Sequence, residues 1–219
     1  MRIAMVGAEY VGPVSGACLA DFGHEVVCVY SDNRKIDALR GGNIPIFEPG
    51  LDELVARNVE HMRLSFETDL GRAVQGAQAV FIAVGTPSRR GDGHADLTFL
   101  HRTATEIART VDGYTVIATK STVPVGTGDD VERIIQEAHP DADVSVVSNP
   151  EFLGEGVAIE DFKRPDRIII GIGRSSAHDP RASEVMSEIY RPLFLNQSPL
   201  LFTSRRSADA LLFGAVGHA

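Results

Sequence analysis

Short apolar runs alternate with amphipathic segments along most of this chain: Ile3 to Val6, Val26 to Val29, Ala79 to Val84, Thr115 to Thr119, Val144 to Ser148 and Arg167 to Gly171. Between them, Leu97, Leu100, Ala104, Ile107, Ala108 and Val111 keep one face of a helix, as do Val131, Ile134 and Ile135. This rhythm predicts an α/β fold, a doubly wound and mostly parallel sheet with helices on both faces. A surface loop from Ser175 to Pro180, a helix to Tyr190 and a last strand from Leu200 to Thr203 complete the pattern. With 219 residues, 43% of them hydrophobic, the chain can bury a full core.

The first strand, Arg2 to Val6, runs into Gly7-Ala8-Glu9-Tyr10-Val11-Gly12 and then a helix expected over Tyr10 to Phe22. In that setting G-x-G-x-x-G is the Rossmann-like fingerprint for a dinucleotide, but only the first and third glycines are present. Gly7 permits the tight turn and Gly12 lets helix and strand approach. The middle position normally leaves bare N–H groups for a pyrophosphate, and here Glu9 brings a carboxylate. Two unit charges about 4 Å apart repel by roughly 4 kcal/mol at an effective dielectric near 20, and by about 1 kcal/mol through water. Weakened binding is expected. A second departure follows the strand Glu25 to Val29, where an Asp or Glu would accept hydrogen bonds from a ribose and Tyr30 stands instead. The lost charge-assisted bond is worth about 1.5 to 3 kcal/mol. Ser31, Arg34 and Lys35 come next, so NADP is an alternative to NAD, set against a plain solvated helix start.

A net charge of −9 without any basic run argues against nucleic acid or an anionic membrane as partner, and for a small ligand. The first strand begins at Arg2 and no apolar stretch approaches 18 residues, so the expectation is a chain neither secreted nor membrane-spanning, hence cytoplasmic. Cys18 on a helix face and Cys28 inside a strand read as buried small hydrophobes, and the seven histidines show no ligand spacing, so no metal is expected.

In a doubly wound sheet the ligand lies beyond the carboxyl ends of the strands, where the loops after Val6, Val29, Val84, Thr119 and Ser148 gather. Those loops hold the unusual motifs. Gly85-Thr86-Pro87 leads into a polar stretch from Arg89 to Asp96. Lys120-Ser121-Thr122-Val123-Pro124-Val125-Gly126-Thr127-Gly128 offers hydroxyls and backbone donors that could cap a helix or bind phosphate. Asn149-Pro150-Glu151-Phe152-Leu153-Gly154-Glu155-Gly156 places two carboxylates near the nucleotide crevice.

Together these residues resemble the N-terminal domain of the UDP-glucose/GDP-mannose dehydrogenase family, from Met1 to about Asp209. Tyr10-Val11-Gly12, Glu48-Pro49-Gly50-Leu51, Val84-Gly85-Thr86-Pro87, Lys120 to Thr127 and Asn149 to Leu153 are specific in combination. The Arg89 to Asp96 loop and Tyr190-Arg191-Pro192-Leu193 are most similar to the branch that oxidises UDP-glucose. The resemblance implies an enzyme that uses two NAD molecules to take the sugar C6 alcohol to a carboxylate through a cysteine-bound thioester. It implies NAD contacts at Gly7, Tyr10, Val11, Gly12, Lys35, Thr86, Thr122 and Glu155. It also implies a water-positioning role for Thr122, a hydrolytic role for Glu151, and a sugar-nucleotide wall from Glu151, Phe152, Leu153 and Glu155.

Other positions depart from the family. Gly154 stands where bacterial members often carry Arg. Aligned on Arg205-Arg206, the family's catalytic Lys and its oxyanion-stabilising Asn correspond to Leu212 and Val216. Loss of one such donor typically costs about 100- to 1,000-fold in rate. The expected organisation is an NAD(P)-binding domain over 1–203 and, over 204–219, the start of a truncated inter-domain helix. The dimerisation helix and the domain with the Cys nucleophile lie outside these residues. The chain is therefore expected to be a partly degenerate dehydrogenase domain, inactive alone. The alternatives are a nucleotide or nucleotide-sugar binding regulator, including one that docks on an intact dehydrogenase, and half of a split enzyme joined through Leu211, Leu212 and Phe213.

Overall fold

The computed structural model describes residues 1–7, 9–40, 44, 46–87, 89, 94–173, 180–195 and 198–216, with side chains of 194–195 and 212–216 left aside. The chain opens β1 (Arg2–Val6), α1 (Val11–Asp21), β2 (Glu25–Val29), α2 (Asn33–Arg40), α3 (Leu51–Glu60), β3 (Leu64–Glu67) and α4 (Leu70–Val74). It continues through β4 (Ala79–Ile82), α5 (Thr98–Ala108), β5 (Thr115–Thr119), α6 (Thr127–Ala138), β6 (Val144–Ser148) and α7 (Ala158–Lys163). The last elements are β7 (Ile168–Ile172), α8 (Arg181–Ile189), α9 (Arg191–Leu195), β8 (Leu200–Ser204) and α10 (Arg205–Val216).

One sheet of order β3-β2-β1-β4-β5-β6-β7-β8 runs through the molecule. All pairings are parallel except β6 with β7, where Val147 faces Ile172 and Ser148 faces Gly171. Residue parity divides the core. Ile3, Met5, Val26, Cys28 and Phe81 pack under α1, α3 and α8 through Val14, Cys18, Leu54 and Met186. Ala4, Val6, Val27, Val29, Val80 and Ile82 pack against α5 and α6 through Leu100, Ile107, Val131 and Ile135. Burial on both faces explains why these strands read as nearly continuous apolar runs. Each fully buried Ile, Leu or Phe contributes about 1.5 to 3 kcal/mol by leaving water.

One strand departs from the sequence reading. Leu64–Glu67 forms edge strand β3 beside β2, with Leu64 and Phe66 buried and Ser65 exposed, a four-residue alternation too short to stand out. The antiparallel β7 fits the expected mostly parallel sheet. The connection over 149–167, which holds α7, is long enough for a parallel crossover, yet β7 runs back along β6 and so begins beside the loop that leaves β6. No helix among the described residues is long and apolar enough to cross a membrane.

The first turns of α10 lie on the same sheet. Arg205 is 4% exposed and binds Asp129 Oδ1 at 2.6 Å, Glu132 Oε2 at 2.5 Å and the Val146 carbonyl at 3.2 Å. A Cβ on Gly171 would meet Ala208 and the Arg205 Cα at 2.7 Å, so glycine there lets α10 seat directly on β7.

Candidate functional site

The order in which strands are added across the sheet reverses at the β1/β4 boundary, so loops after these two strands diverge and leave a crevice at the carboxyl edge of the sheet. Gly7 has a φ of 140°. A Cβ there would run into the Ala83 carbonyl, and one on Gly12 would run into the Gly7 carbonyl. Both glycines are thus demanded by backbone packing. Val11 opens α1 and is half-buried.

Glu9 is exposed, and its carboxyl lies directly over Gly85 in the loop after β4. A Cβ on Gly85 would sit 2.6 Å from the Glu9 Cδ. The carboxylate therefore bridges the two loops that frame the crevice, where a pyrophosphate would need donors. The turn around Gly7 and Gly12 suits a dinucleotide; Glu9 does not. The ring of Tyr30 turns away from the crevice. It is 2% exposed and stacks on Phe66 with centroids 6.3 Å apart. Burial pushes its phenol far above the usual range, with Cys28 as a lesser cause. The tyrosine thus fills core instead of standing in for a ribose-binding acid. The basic residues that follow are arranged as a helix start: Asp32 Oδ1 accepts from the Arg34 N–H at 2.9 Å and pairs with its guanidinium, and Lys35 is exposed.

Thr86 and Thr122 meet on the β4 side of the crevice, where the loops after β4 and β5 touch, the Thr86 hydroxyl donating to the Thr122 carbonyl at 2.7 Å. Two hydroxyls of the Lys120–Thr127 loop serve neighbouring carbonyls. Ser121 donates to Val84 at 2.7 Å, and Thr127 donates to Pro124 at 2.7 Å. The expected helix cap is absent: α6 begins after Gly126 at φ 99°, with no side-chain cap bond. Residues 90–93 of the Arg89 to Asp96 loop lie outside the described residues, as do the side chains of Leu212, Phe213 and Val216.

A second cluster ties the glycine turn to the loop after β6. The Tyr10 hydroxyl bonds the buried Glu48 carboxylate. Glu48 Oε2 also accepts from the Gly156 N–H at 2.9 Å, and Oε1 accepts from Ile159 at 3.2 Å. Gly156 donates in addition to the Tyr10 oxygen at 2.9 Å. Burial, with Glu48 alongside, raises the Tyr10 phenol to about 12. Glu155 is exposed and close enough to act electrostatically on Tyr10. Glu48 gave no signal of this role in the sequence beyond its place in Glu48-Pro49-Gly50-Leu51.

Beyond that loop lies a cavity of about 280 Å³, walled by Glu151, Phe152 and Leu153 on one side and by Arg164 to Ile168 on the other. Glu151 Oε2 accepts from the Leu153 N–H at 2.6 Å. Lys120, passed over in the sequence as part of a hydroxyl-rich loop, forms the floor at 3% exposure. Its ammonium reaches Asn149 Oδ1 at 3.4 Å and stands 5.6 Å above the Phe162 ring. Asn149 is held by the Tyr190 hydroxyl at 2.6 Å and by its own bond to the Ile169 carbonyl at 3.0 Å. Burial lowers Lys120 to about 8 against a favourable pull from Glu151. Cys18 and Cys28 are buried, and burial raises each thiol to about 12. Among the described residues no three His, Cys, Asp or Glu side chains converge as a metal set would.

Residues 1–194 match the family model described as the UDP-glucose/GDP-mannose dehydrogenase family, NAD binding domain. The chain is 65% identical over 213 residues to a UDP-glucose 6-dehydrogenase of Rhizobium meliloti, covering 97% of this chain and 48% of that protein. It is 43% identical to the UDP-glucose 6-dehydrogenase TuaD of Bacillus subtilis, covering 98% of this chain and 45% of that protein. Among solved structures, a UDP-glucose dehydrogenase from Pyrobaculum islandicum superposes with a TM-score of 0.90 at 36% identity, over 97% of this chain and 48% of that one. A GDP-mannose dehydrogenase ternary complex from Pseudomonas aeruginosa gives 0.91 at 33% identity, over 99% and 49%. The chain spans about half the length of these relatives. With its glycine turn, its β1/β4 crevice and this match, the chain belongs to the UDP-glucose/GDP-mannose dehydrogenase family, of which it carries the NAD-binding domain.

Proposed function

We propose that these residues form the cofactor half of a nucleotide-sugar dehydrogenase acting on UDP-glucose, with the sugar-side cavity kept and the affinity for NAD lowered. The observation that carries this reading is the contrast between two neighbouring places. The crevice holds the Glu9 carboxylate over Gly85, whereas the cavity between Lys120, Glu151 and Arg164 to Ile168 is open and lined by polar groups. Gly7, Tyr10, Val11, Gly12, Thr86, Thr122 and Glu155 form the dinucleotide side in this proposal, with Lys35 near the adenosine end. Glu151 activates water at the reacting carbon and Thr122 positions it, while Phe152 and Leu153 wall the sugar. When bound, NAD supplies the hydride acceptor. Residues 1–203 make up the binding domain, and 204–219 begin the helix leading to a second domain.

Calorimetric titration of NAD, NADP and UDP-glucose into the purified chain and its Glu9→Gly variant tests the reading. UDP-glucose binding by both proteins, with NAD binding strengthened in the variant, supports it. Micromolar NAD or NADP binding by the wild type refutes the weakened crevice. Absence of UDP-glucose binding refutes the retained cavity. The same contrast favours a second reading, a nucleotide-sugar binding regulator, which requires UDP-glucose binding to persist with no dinucleotide bound by either protein.

A further inference from the structure

The floor of the cavity carries an ammonium group with more donors than partners. Lys120 is buried just past the end of β5, and among the described residues it makes no ion pair and its one hydrogen bond is the long one to Asn149. Asn149 is immobilised by Tyr190 and Ile169, so it anchors the Lys120 ammonium through one long bond without satisfying all three donors of the amine. Buried lysines left in this state are costly, because removing a charge from water is offset only by strong partners. Glu151 lines the same cavity and acts electrostatically on Lys120. Its carboxylate accepts from its own loop at Leu153, leaving further lone pairs for another donor. A charged donor and a charged acceptor in one small cavity match the chemistry of a sugar hydroxyl, which accepts and donates at once.

We propose that Lys120 is a ligand-binding residue of this cavity, donating a charge-assisted hydrogen bond to a sugar hydroxyl whose own proton is directed to Glu151. This rests on the cavity being the nucleotide-sugar side of the site. It gives the sugar, and not the nucleotide, a dependence on the charge of one lysine.

That dependence sets the pH profile. The groups facing Lys120 are Glu151 from the loop after β6, Cys18 from α1 and Tyr190 at the end of α8, with Phe162 from α7 beneath it. Asp161, Arg164, Asp166 and Arg167 line the cavity farther along. Cys18 is pushed up to about 12 and Tyr190 higher still, both by burial, so neither loses its proton between about pH 6.5 and 9.5. Lys120, near 8, changes charge inside that window.

The test is calorimetric titration of UDP-glucose and, separately, of UDP into the full chain from about pH 6.5 to 9.5, with Lys120→Met measured alongside. The wild type should lose about tenfold in UDP-glucose affinity across the window, while UDP affinity stays level. Lys120→Met should bind UDP-glucose about tenfold more weakly at pH 6.5, with no pH dependence and unchanged UDP affinity. Equal weakening of both ligands in the variant means that Lys120 merely supports the fold, and overturns the proposal. So does a wild-type ratio of the two affinities that is flat with pH, a result that needs no variant. A wild type that binds neither ligand overturns the nucleotide-sugar reading itself, and this inference with it.

Discussion

Replacing Glu9 with glycine should tighten NAD binding by a factor that can be worked from the geometry. The Glu9 carboxyl lies over Gly85, between the two loops that frame the crevice, so a pyrophosphate placed there would approach it at about van der Waals contact. At about 4 Å and an effective dielectric near 20 the repulsion is about 4 kcal/mol per charge pair, falling to about 1 kcal/mol if the exposed side chain swings into water. The expected gain is therefore about 5- to 1,000-fold in Kd. Among the described residues Met62 is the non-glycine with a positive φ, so Glu9 sits in an ordinary backbone conformation. Glycine is wanted at position 9 for clearance and neutrality, not for its φ. Glu9→Gln, which keeps the volume and removes the charge, separates the two. Isothermal calorimetry at low and high salt gives the answer, since the repulsion is screened within about 10 Å at 0.1 M salt. Wild-type affinity should rise with salt relative to Glu9→Gly. An unchanged Kd in Glu9→Gly would refute the argument that this carboxylate obstructs the site.

Tyr30→Asp, the reversion that the fingerprint suggests, should instead unfold the domain more easily, because it removes a buried stacked ring and puts a carboxylate in its place. A loss of about 3 to 5 kcal/mol is expected, lowering the melting temperature by about 10 °C; an unaltered melting curve would show that position 30 faces the crevice after all. Glu48→Ala leaves the Gly156 and Ile159 N–H groups and the Tyr10 hydroxyl without their acceptor, for a loss of about 3 kcal/mol, with Tyr10→Phe costing about 1. Faster amide exchange at Gly156 in Glu48→Ala is the diagnostic sign, and unchanged exchange there would contradict the clamp. Finally, Lys120 has its folded-state pKa near 8, below the ordinary 10.5, so the unfolded chain binds more protons between those values and stability rises with pH across that window. Relative to Lys120→Met, the wild type should gain about 3 kcal/mol from pH 8 to 10.5 in urea unfolding, and a constant difference would place the amine in water.

The parallel strands were legible because a strand covered on both faces must be apolar at nearly every position, and Ile3 to Val6 or Thr115 to Thr119 can be little else. Leu64 to Glu67 was not, since an edge strand buries alternate residues only and four of them make a weak pattern. The inward turn of Tyr30 was readable from parity, as Val26, Cys28 and Tyr30 share one side of their strand and continue into the core against Phe66. The fingerprint hid this by inviting comparison with an acid.

By itself the sequence determined the sheet, the glycine turn and the presence of a carboxylate at position 9, because each depends on local geometry or on the period of burial. Tertiary structure alone decided where that carboxylate points and what Lys120 meets. Glu9 reaches Gly85 only when β4 is laid beside β1, and Lys120 is buried only when β7 pairs antiparallel to β6 and brings Arg164 to Ile168 up against the loop from β6. These contacts join residues roughly 30 to 80 positions apart, and the physical cause is the packing of a closed core that no window of sequence contains.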